Sequence, residues 1–201
     1  MKYPIITIGR ETGCRGNTIG KILSENLNIP LYDKELLVVA AKESGLSPDI
    51  FEKADEKESY GFLQKAFSSV FAGNDSYICN DNLFKIQSQT INNLASKHSC
   101  IFIGRCADYV LRQYPKLLRV FLCAPIEQRQ KAVAHNLNLS DEDALKFIER
   151  TDKKRADYYN FYTGKNWGEA SSYDLCINTS LIGIENSANV VLKIFKDLYC
   201  S

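Results

Sequence analysis

Residues 4–20 read P-I-I-T-I-G-R-E-T-G-C-R-G-N-T-I-G. The run Ile5 to Ile8 is continuous, apolar and β-branched, and it stops at Gly9. Glycines follow at Gly13 and Gly16, and then a helical pattern of Ile19, Ile22, Leu23 and Leu27 begins. That order spells strand, glycine loop, helix. Glycines in such a loop permit positive φ and a close approach to a ligand, and the N–H groups that open the next helix point into the loop, so a phosphate is the natural occupant. Thr18 stands where the last hydroxyl of a phosphate-binding loop joins magnesium.

The match to the common phosphate-loop pattern, G-x-x-x-x-G-K followed by Ser or Thr, is incomplete. Asn17 occupies the place of the lysine before Thr18. Arg10 and Arg15 are cations within the loop that can replace it, although a planar guanidinium grips phosphate differently from a compact ammonium. Read from the loop alone, a ligand-free turn between strand and helix fits these residues as well as a phosphate site does.

Hydrophobic residues are 45% of the 201, enough for one full domain with a large core. Lys and Arg total 25 against 24 Asp and Glu, a balance that argues against a nucleic-acid polymer or a membrane surface as the partner and makes any charge effect local. No apolar run approaches the roughly 20 residues of a bilayer span, and the opening M-K-Y-P-I-I-T-I-G is too short and strand-like for a signal peptide. A cytoplasmic location is the expectation. Seven cysteines are scattered singly, with no C-x-x-C pair and no histidine cluster nearby, which predicts free thiols. Cys14 stands apart: a helix N-terminus and two arginines beside a thiol predict a depressed pKa, and its plainer reading is a small residue that fits a tight loop.

Onward from the first helix, Asn28 to Asp33 predicts a short strand entered through Pro30, with Asp33 as the cap of a helix over Lys34 to Ser44. Ser47-Pro48 starts another helix, aromatics recur from Tyr60 to Phe71, and Leu83 to His98 carries Ile86, Thr90, Ile91 and Leu94 at helical spacing. Cys100 to Ile103 is a second continuous apolar run, ended by Gly104-Arg105 as Ile8 is followed by Gly9-Arg10. Ala107 to Gln113 predicts a short helix, Leu117 to Cys123 a third strand, and Ala124-Pro125-Ile126-Glu127 a strand-to-helix junction. Ser140 caps a long helix that Gly164 ends. Asp174 to Asn178 and Ile184 to Leu198 close the chain as strand and helix. Strands alternating with helices imply parallel βαβ units, with ligands at the carboxyl ends of the strands.

Within the long helix, Arg150, Lys154 and Asp157 lie near one face, with Thr151 and Arg155 beside them. Such a run of charge is either a solvated face or a cationic surface that closes on a ligand.

The opening loop, Tyr32-Asp33-Lys34-Glu35-Leu36, Ile103-Gly104-Arg105, Phe121-Leu122-Cys123-Ala124-Pro125 and Arg150-Thr151-Asp152-Lys153-Lys154-Arg155 together resemble, in order, the cytidylate kinases, and most nearly the bacterial cytidylate kinase-like family. In that family the loop commonly reads like G-S-G-G-R-E-I-G. Gly13-Cys14-Arg15-Gly16-Asn17-Thr18-Ile19-Gly20 keeps the outer glycines in register, departs at Arg15 and Asn17, and shares the missing lysine.

The resemblance implies one α/β three-layer P-loop NTPase or nucleotide kinase domain over residues 1–201. A parallel sheet would be flanked by helices, with a helical acceptor-side insertion over 34–98 and a lid region over about 140–165. It implies ATP-dependent, magnesium-dependent phosphoryl transfer to a nucleoside monophosphate, CMP or dCMP first. Gly13, Cys14, Arg15, Gly16, Asn17 and Thr18 would hold the donor phosphates, and Thr18 would also meet the Mg2+. Asp33, Lys34, Arg105 and Asp152 would hold the acceptor, and Arg15, Arg105, Lys153 and Arg155 would be the catalytic cations. No general-base histidine is required, and His98 and His135 read as ordinary helix residues. Lys34, Val39 and Cys106 differ from the serine, arginine and aspartate that cytidylate kinases carry on the acceptor side. Those differences keep two other readings open: a nucleotide-binding protein with little kinase activity, and a kinase of a different small acceptor.

Overall fold

The computed structural model describes residues 3–33 and 77–199. Five parallel strands, β1 (Ile5–Arg10), β2 (Leu31–Tyr32), β3 (Cys100–Ile103), β4 (Leu117–Cys123) and β5 (Leu175–Asn178), lie in the order β2-β3-β1-β4-β5. The described helices are α1 (Gly16–Leu27), α2 (Tyr77–Lys97), α3 (Ala107–Val110), α4 (Ile126–Leu137), α5 (Asp141–Thr163), α6 (Thr179–Ile182) and α7 (Ile184–Tyr199). This is the α/β architecture that the alternation of apolar runs predicts. The helices expected at Lys34 to Ser44, after Ser47 and from Tyr60 to Phe71 lie outside the described residues.

The strands read as predominantly apolar runs, interrupted in β4 by Arg119, because both faces of the sheet are covered. Ile6 pairs with Ile101 and Leu118, and Ile8 with Ile103 and Val120, so these side chains share one face. There they pack on Ile19 and Leu23 of α1 and on Ala188, Val191, Leu192 and Phe195 of α7. Ile5, Cys100 and Phe102 point the other way, onto Ile91 and Ala95 of α2 and onto Ala107 and Leu111 around α3. Period-two alternation thus feeds two cores from one sheet.

Differences from the sequence expectation are small and local. Helix α2 starts at Tyr77, six residues before the predicted Leu83, and α3 stops at Val110, with turns as far as Gln113. Strand β5 starts one residue late, because Asp174 is held from the side: it accepts from the Arg119 N–H at 2.7 Å and pairs with the Arg119 guanidinium at 2.6 Å.

Helix α5 is the longest described element, at 23 residues. Ser140 caps it, its Oγ accepting from the Asp143 N–H at 3.1 Å, while Asp141, Glu142 and Asp143 complement the helix dipole. Gly164, with φ of +66°, ends it in a left-handed turn. Val133 of α4 and Ala144 and Ile148 of α5 are buried between the two helices. At its far end α5 meets α2, where Tyr162 stacks on Phe84 at 4.1 Å between centroids and the Tyr158 hydroxyl donates to Gln87. No described helix is long and apolar enough to cross a membrane.

Candidate active site

The β1–α1 connection turns through two left-handed residues, Gly13 at φ +95° and Arg15 at φ +57°. Arg15 is the N-cap of α1 and its side chain accepts nothing from the first turn, so the leading N–H groups of the helix have no side-chain cap. Arg15, Asn17 and Thr18 are exposed, whereas Cys14 and Gly16 are buried. What packs beneath the loop explains its two glycines. A Cβ on Gly13 would lie 2.9 Å from the Cα, Cβ and carbonyl oxygen of Arg129, and a Cβ on Gly16 would lie 2.9 Å from Cγ of Arg10. Helix α4 therefore supports the loop directly, and the Arg10 side chain crosses the start of α1 where no Cβ obstructs it.

Beside the loop, at the carboxyl ends of β1 and β3, a cavity of about 490 Å3 opens. Arg10, Arg105, Arg150, Lys154 and Arg155 line it with Asp108, and the rings of Phe147, Tyr158, Tyr159, Trp167 and Tyr173 form much of the remaining wall. Arg10 follows β1, Arg105 follows β3, and Arg155 comes from the middle of α5. Arg155 Nη1 donates to the Arg10 carbonyl at 3.1 Å. Burial, followed by the like charges of Arg155 and Arg105, lowers the proton affinity of the Arg10 guanidinium, and Asp33 and Asp152 offset only part of this. Burial lowers Arg105 and Arg155 as well. Guanidiniums gathered in this way are held against repulsion and desolvation, and an anion relieves both.

Asp108 is the carboxylate among the lining residues. It accepts from the Tyr159 hydroxyl at 2.8 Å, and burial raises its pKa. Cys106, two residues earlier, is in a left-handed conformation at φ +54°, buried and with its thiol pushed up by desolvation.

A second set of charges ties the loop to α4 and α5. Asp152 Oδ1 accepts from both the Thr12 N–H, at 2.8 Å, and the Thr12 hydroxyl, at 2.7 Å. Its other oxygen meets Arg129 Nη1 at 2.7 Å. Arg129 also donates to the carbonyls of Ala124 and Thr12, at 2.9 and 3.3 Å, and lies 3.4 Å from Glu11. Glu11 in turn accepts from the Ala124 N–H at 3.0 Å.

The model of the cytidylate kinase-like family matches residues 5–181, a span that takes in the loop, the cavity and this network. The chain belongs to the cytidylate kinase-like family. It is 28% identical over 191 residues to the cytidylate kinase of Methanosphaera stadtmanae, covering 94% of this chain and 96% of that one. It is 27% identical to the cytidylate kinase of Pyrococcus horikoshii, over 88% of this chain and 80% of the relative. Among solved structures, an uncharacterized protein from Eubacterium ventriosum superposes with a TM-score of 0.74 at 26% identity, covering 96% and 98% of the two chains. A shikimate kinase from Acinetobacter baumannii in complex with shikimate matches at a TM-score of 0.55 and 15% identity, over 99% of this chain and 96% of that one, and shows the shared P-loop kinase fold alone.

Within this family frame, the structure brings Arg105 and Arg155 to one cavity and sets Asp33 close enough to raise the proton affinity of both Arg10 and Arg105. Lys153 is exposed and does not line the cavity, whereas its neighbour Lys154 does. Arg15 and Thr18 lie on the outer side of the loop, exposed to solvent, and Lys34 lies outside the described residues. One expectation is overturned. The Cys14 thiol is pushed up to about 12, not down, because burial and the nearby Glu11 carboxylate outweigh Arg129. It is 1% exposed, packed under the loop where a thiolate loses its hydration.

Sequence reasoning missed Glu11 and Arg129. The signal available for Arg129 was its place in the first turn after Pro125, at the carboxyl end of β4, where ligands of open α/β sheets gather.

Proposed function

We propose that this protein is a nucleoside monophosphate kinase that moves the γ-phosphoryl of ATP to an acceptor, with CMP or dCMP as the first candidates. The observation that carries the reading is the cavity at the carboxyl ends of β1 and β3, which gathers Arg10, Arg105 and Arg155 beside the glycine loop. Phosphoryl transfer asks the protein mainly for positioning and for positive charge around the transferred group, and such a cavity supplies both. In this reading Gly13, Cys14, Gly16, Asn17 and Thr18 hold the donor phosphates, with Arg15 at the outer edge. Arg105 meets the acceptor phosphate, with Asp33 and Lys34 on the acceptor side and Asp152 behind the loop. Arg155 bears on the transferred group, and Lys153 serves from the exposed flank of α5.

Among the described residues no three His, Cys, Asp or Glu side chains converge as metal ligands, while Thr18 offers an exposed hydroxyl in the first turn of α1. Magnesium arriving on the nucleotide would be met by the Thr18 hydroxyl and would supply positive charge against the phosphates. The reading places the protein in the cytoplasm, with its nucleotides.

A second reading, a kinase of another small anionic acceptor, is favoured by Cys106. This buried thiol offers no carboxylate at the position after Arg105 and leaves polar recognition of the acceptor to Asp108, two residues on. Purified protein with MgATP and a panel of nucleoside monophosphates and small phosphorylated or carboxylated metabolites, followed by ADP release, tests both. CMP or dCMP as the fastest acceptor supports the first reading, and a non-nucleotide acceptor supports the second. ATP binding without ADP release from any acceptor overturns both.

A further inference from the structure

Arg129 touches three pieces of the molecule at once. Its side chain is only 11% exposed, and it donates to the loop at Thr12, to the β4–α4 junction at Ala124 and to Asp152 on α5. Its own backbone lies where a Cβ on Gly13 would have to be. Asp152, 15% exposed, reaches back to Thr12 through both of its donors. One turn along α5 from Asp152, Arg155 enters the cavity and donates to the Arg10 carbonyl. The loop that faces the donor phosphates and the helix that carries the cavity cations therefore share one ionic joint, made by residues that do not line the cavity themselves.

We infer that Arg129 is a positioning residue: through Asp152 and Thr12 it holds the phosphate loop and helix α5 in a single register, and so places Arg155 against the loop. Its consequence for turnover rests on the kinase reading above; its consequence for the loop does not. A mostly buried carboxylate left with only its longer, 3.5 Å contact to Arg155, next to two carbonyls deprived of their donor, loosens the segment they hold. Cys14 reports on this directly. It lies in that segment, 1% exposed, with Sγ 4.0 Å from Glu11. Cys100, in β3 and fully buried on the opposite side of the sheet, reports on global opening instead.

The experiment compares the parent chain with Arg129→Met, Arg129→Lys and Asp152→Asn. Iodoacetamide labelling at pH 8, well below each Tm, is read at Cys14 and Cys100 by peptide mass spectrometry. Arg129→Met and Asp152→Asn should each speed Cys14 labelling about tenfold or more with Cys100 unchanged, and Arg129→Lys should recover part of the protection. The double variant Arg129→Met with Asp152→Asn should exceed neither single change by much, as expected of one joint. Equal acceleration at Cys14 and Cys100 means that Arg129 only stabilises the fold, and unchanged Cys14 labelling means that it holds no loop; either result overturns the proposal. With an acceptor in hand, Arg129→Met should lower kcat and leave the KM of the acceptor near the parent value, because Arg155 is misplaced while Arg105 is untouched. A parent that turns over no acceptor defeats the kinase reading and leaves the labelling result to decide this one.

Discussion

Arg155 donates from Nη1 to the main-chain carbonyl of Arg10 at 3.1 Å, so two guanidinium-bearing residues 145 positions apart meet at the edge of one cavity. The bond is to the backbone and itself offsets neither positive charge; Asp152, 3.5 Å from Arg155 Nη1, offsets part of one. Burial lowers the proton affinity of both guanidiniums; Arg155 and Arg105 lower that of Arg10 further, and Arg105 lowers that of Arg155 while Asp152 raises it. The cavity therefore carries unfavourable electrostatics whose natural relief is a bound anion.

That relief is measurable as stability. Phosphate, pyrophosphate or CMP binding in the cavity should raise the Tm of the parent by roughly 5 °C or more at a hundredfold excess over Kd. The gain should shrink in Arg155→Ala, which removes one attracting charge. A Tm that stays flat with all three ligands in a thermal scan would count against an anion site.

Arg155→Ala should lower turnover about 100-fold or more, the scale seen when a stabiliser of transition-state charge is lost. Its Tm should stay within about 3 °C of the parent, because the hydrogen bonds given up to Arg10 and Asp152 are offset by weaker repulsion of Arg10. Parent-level turnover with the acceptor would make Arg155 a solvated charge and remove it from the site.

For Arg105→Ala, the expectation is a selective defect. Arg105 leaves the sheet after β3, away from the glycine loop that follows β1, so turnover and acceptor affinity should fall while ATP affinity measured by calorimetry stays within about threefold. An equal fall in ATP affinity would reassign Arg105 to the donor.

Gly13 and Gly16 should fail differently when changed to alanine. At Gly13, φ is +95° and the new Cβ meets the Arg129 backbone at 2.9 Å, so the fold should lose on the order of 1–3 kcal/mol in a denaturant titration. At Gly16 the new Cβ meets the flexible Arg10 side chain, which can swing away. Anion binding in the cavity should therefore suffer more than stability. Equal destabilisation by both changes would show that Arg10 is as rigid as backbone.

The pH dependence of Cys14 follows from its thiol being pushed up to about 12. The thiolate is the reactive form, so labelling of Cys14 at pH 8 should lag far behind that of exposed Cys176 and rise with pH through the alkaline range. Rapid oxidation or alkylation of Cys14 at pH 7 in the parent would restore the depressed-pKa expectation.

The chain itself determined whatever depends on near neighbours. Four of the strands are predominantly apolar, α5 is capped by Ser140 and Gly164, and helical spacing alone puts Arg150, Lys154 and Arg155 together. Periodicity and capping act over a few residues, so a single sequence displays them. The resemblance of five ordered segments carried the family as well, and the match over residues 5–181 agrees with it. Tertiary structure alone decided the rest. Thr12 meets Asp152 across 140 positions and Arg129 across 117, and although the β4–α4 junction marks Arg129 as near a ligand, no local pattern pairs it with Thr12, Glu11 or Asp152. Cys14 is the clearest case: its neighbours in sequence are an arginine and a helix N-terminus, which favour a thiolate, but folding places it under the loop beside Glu11, where lost hydration favours the thiol. Burial is a property of packing between distant elements, and it outweighed the charges that the sequence put close by.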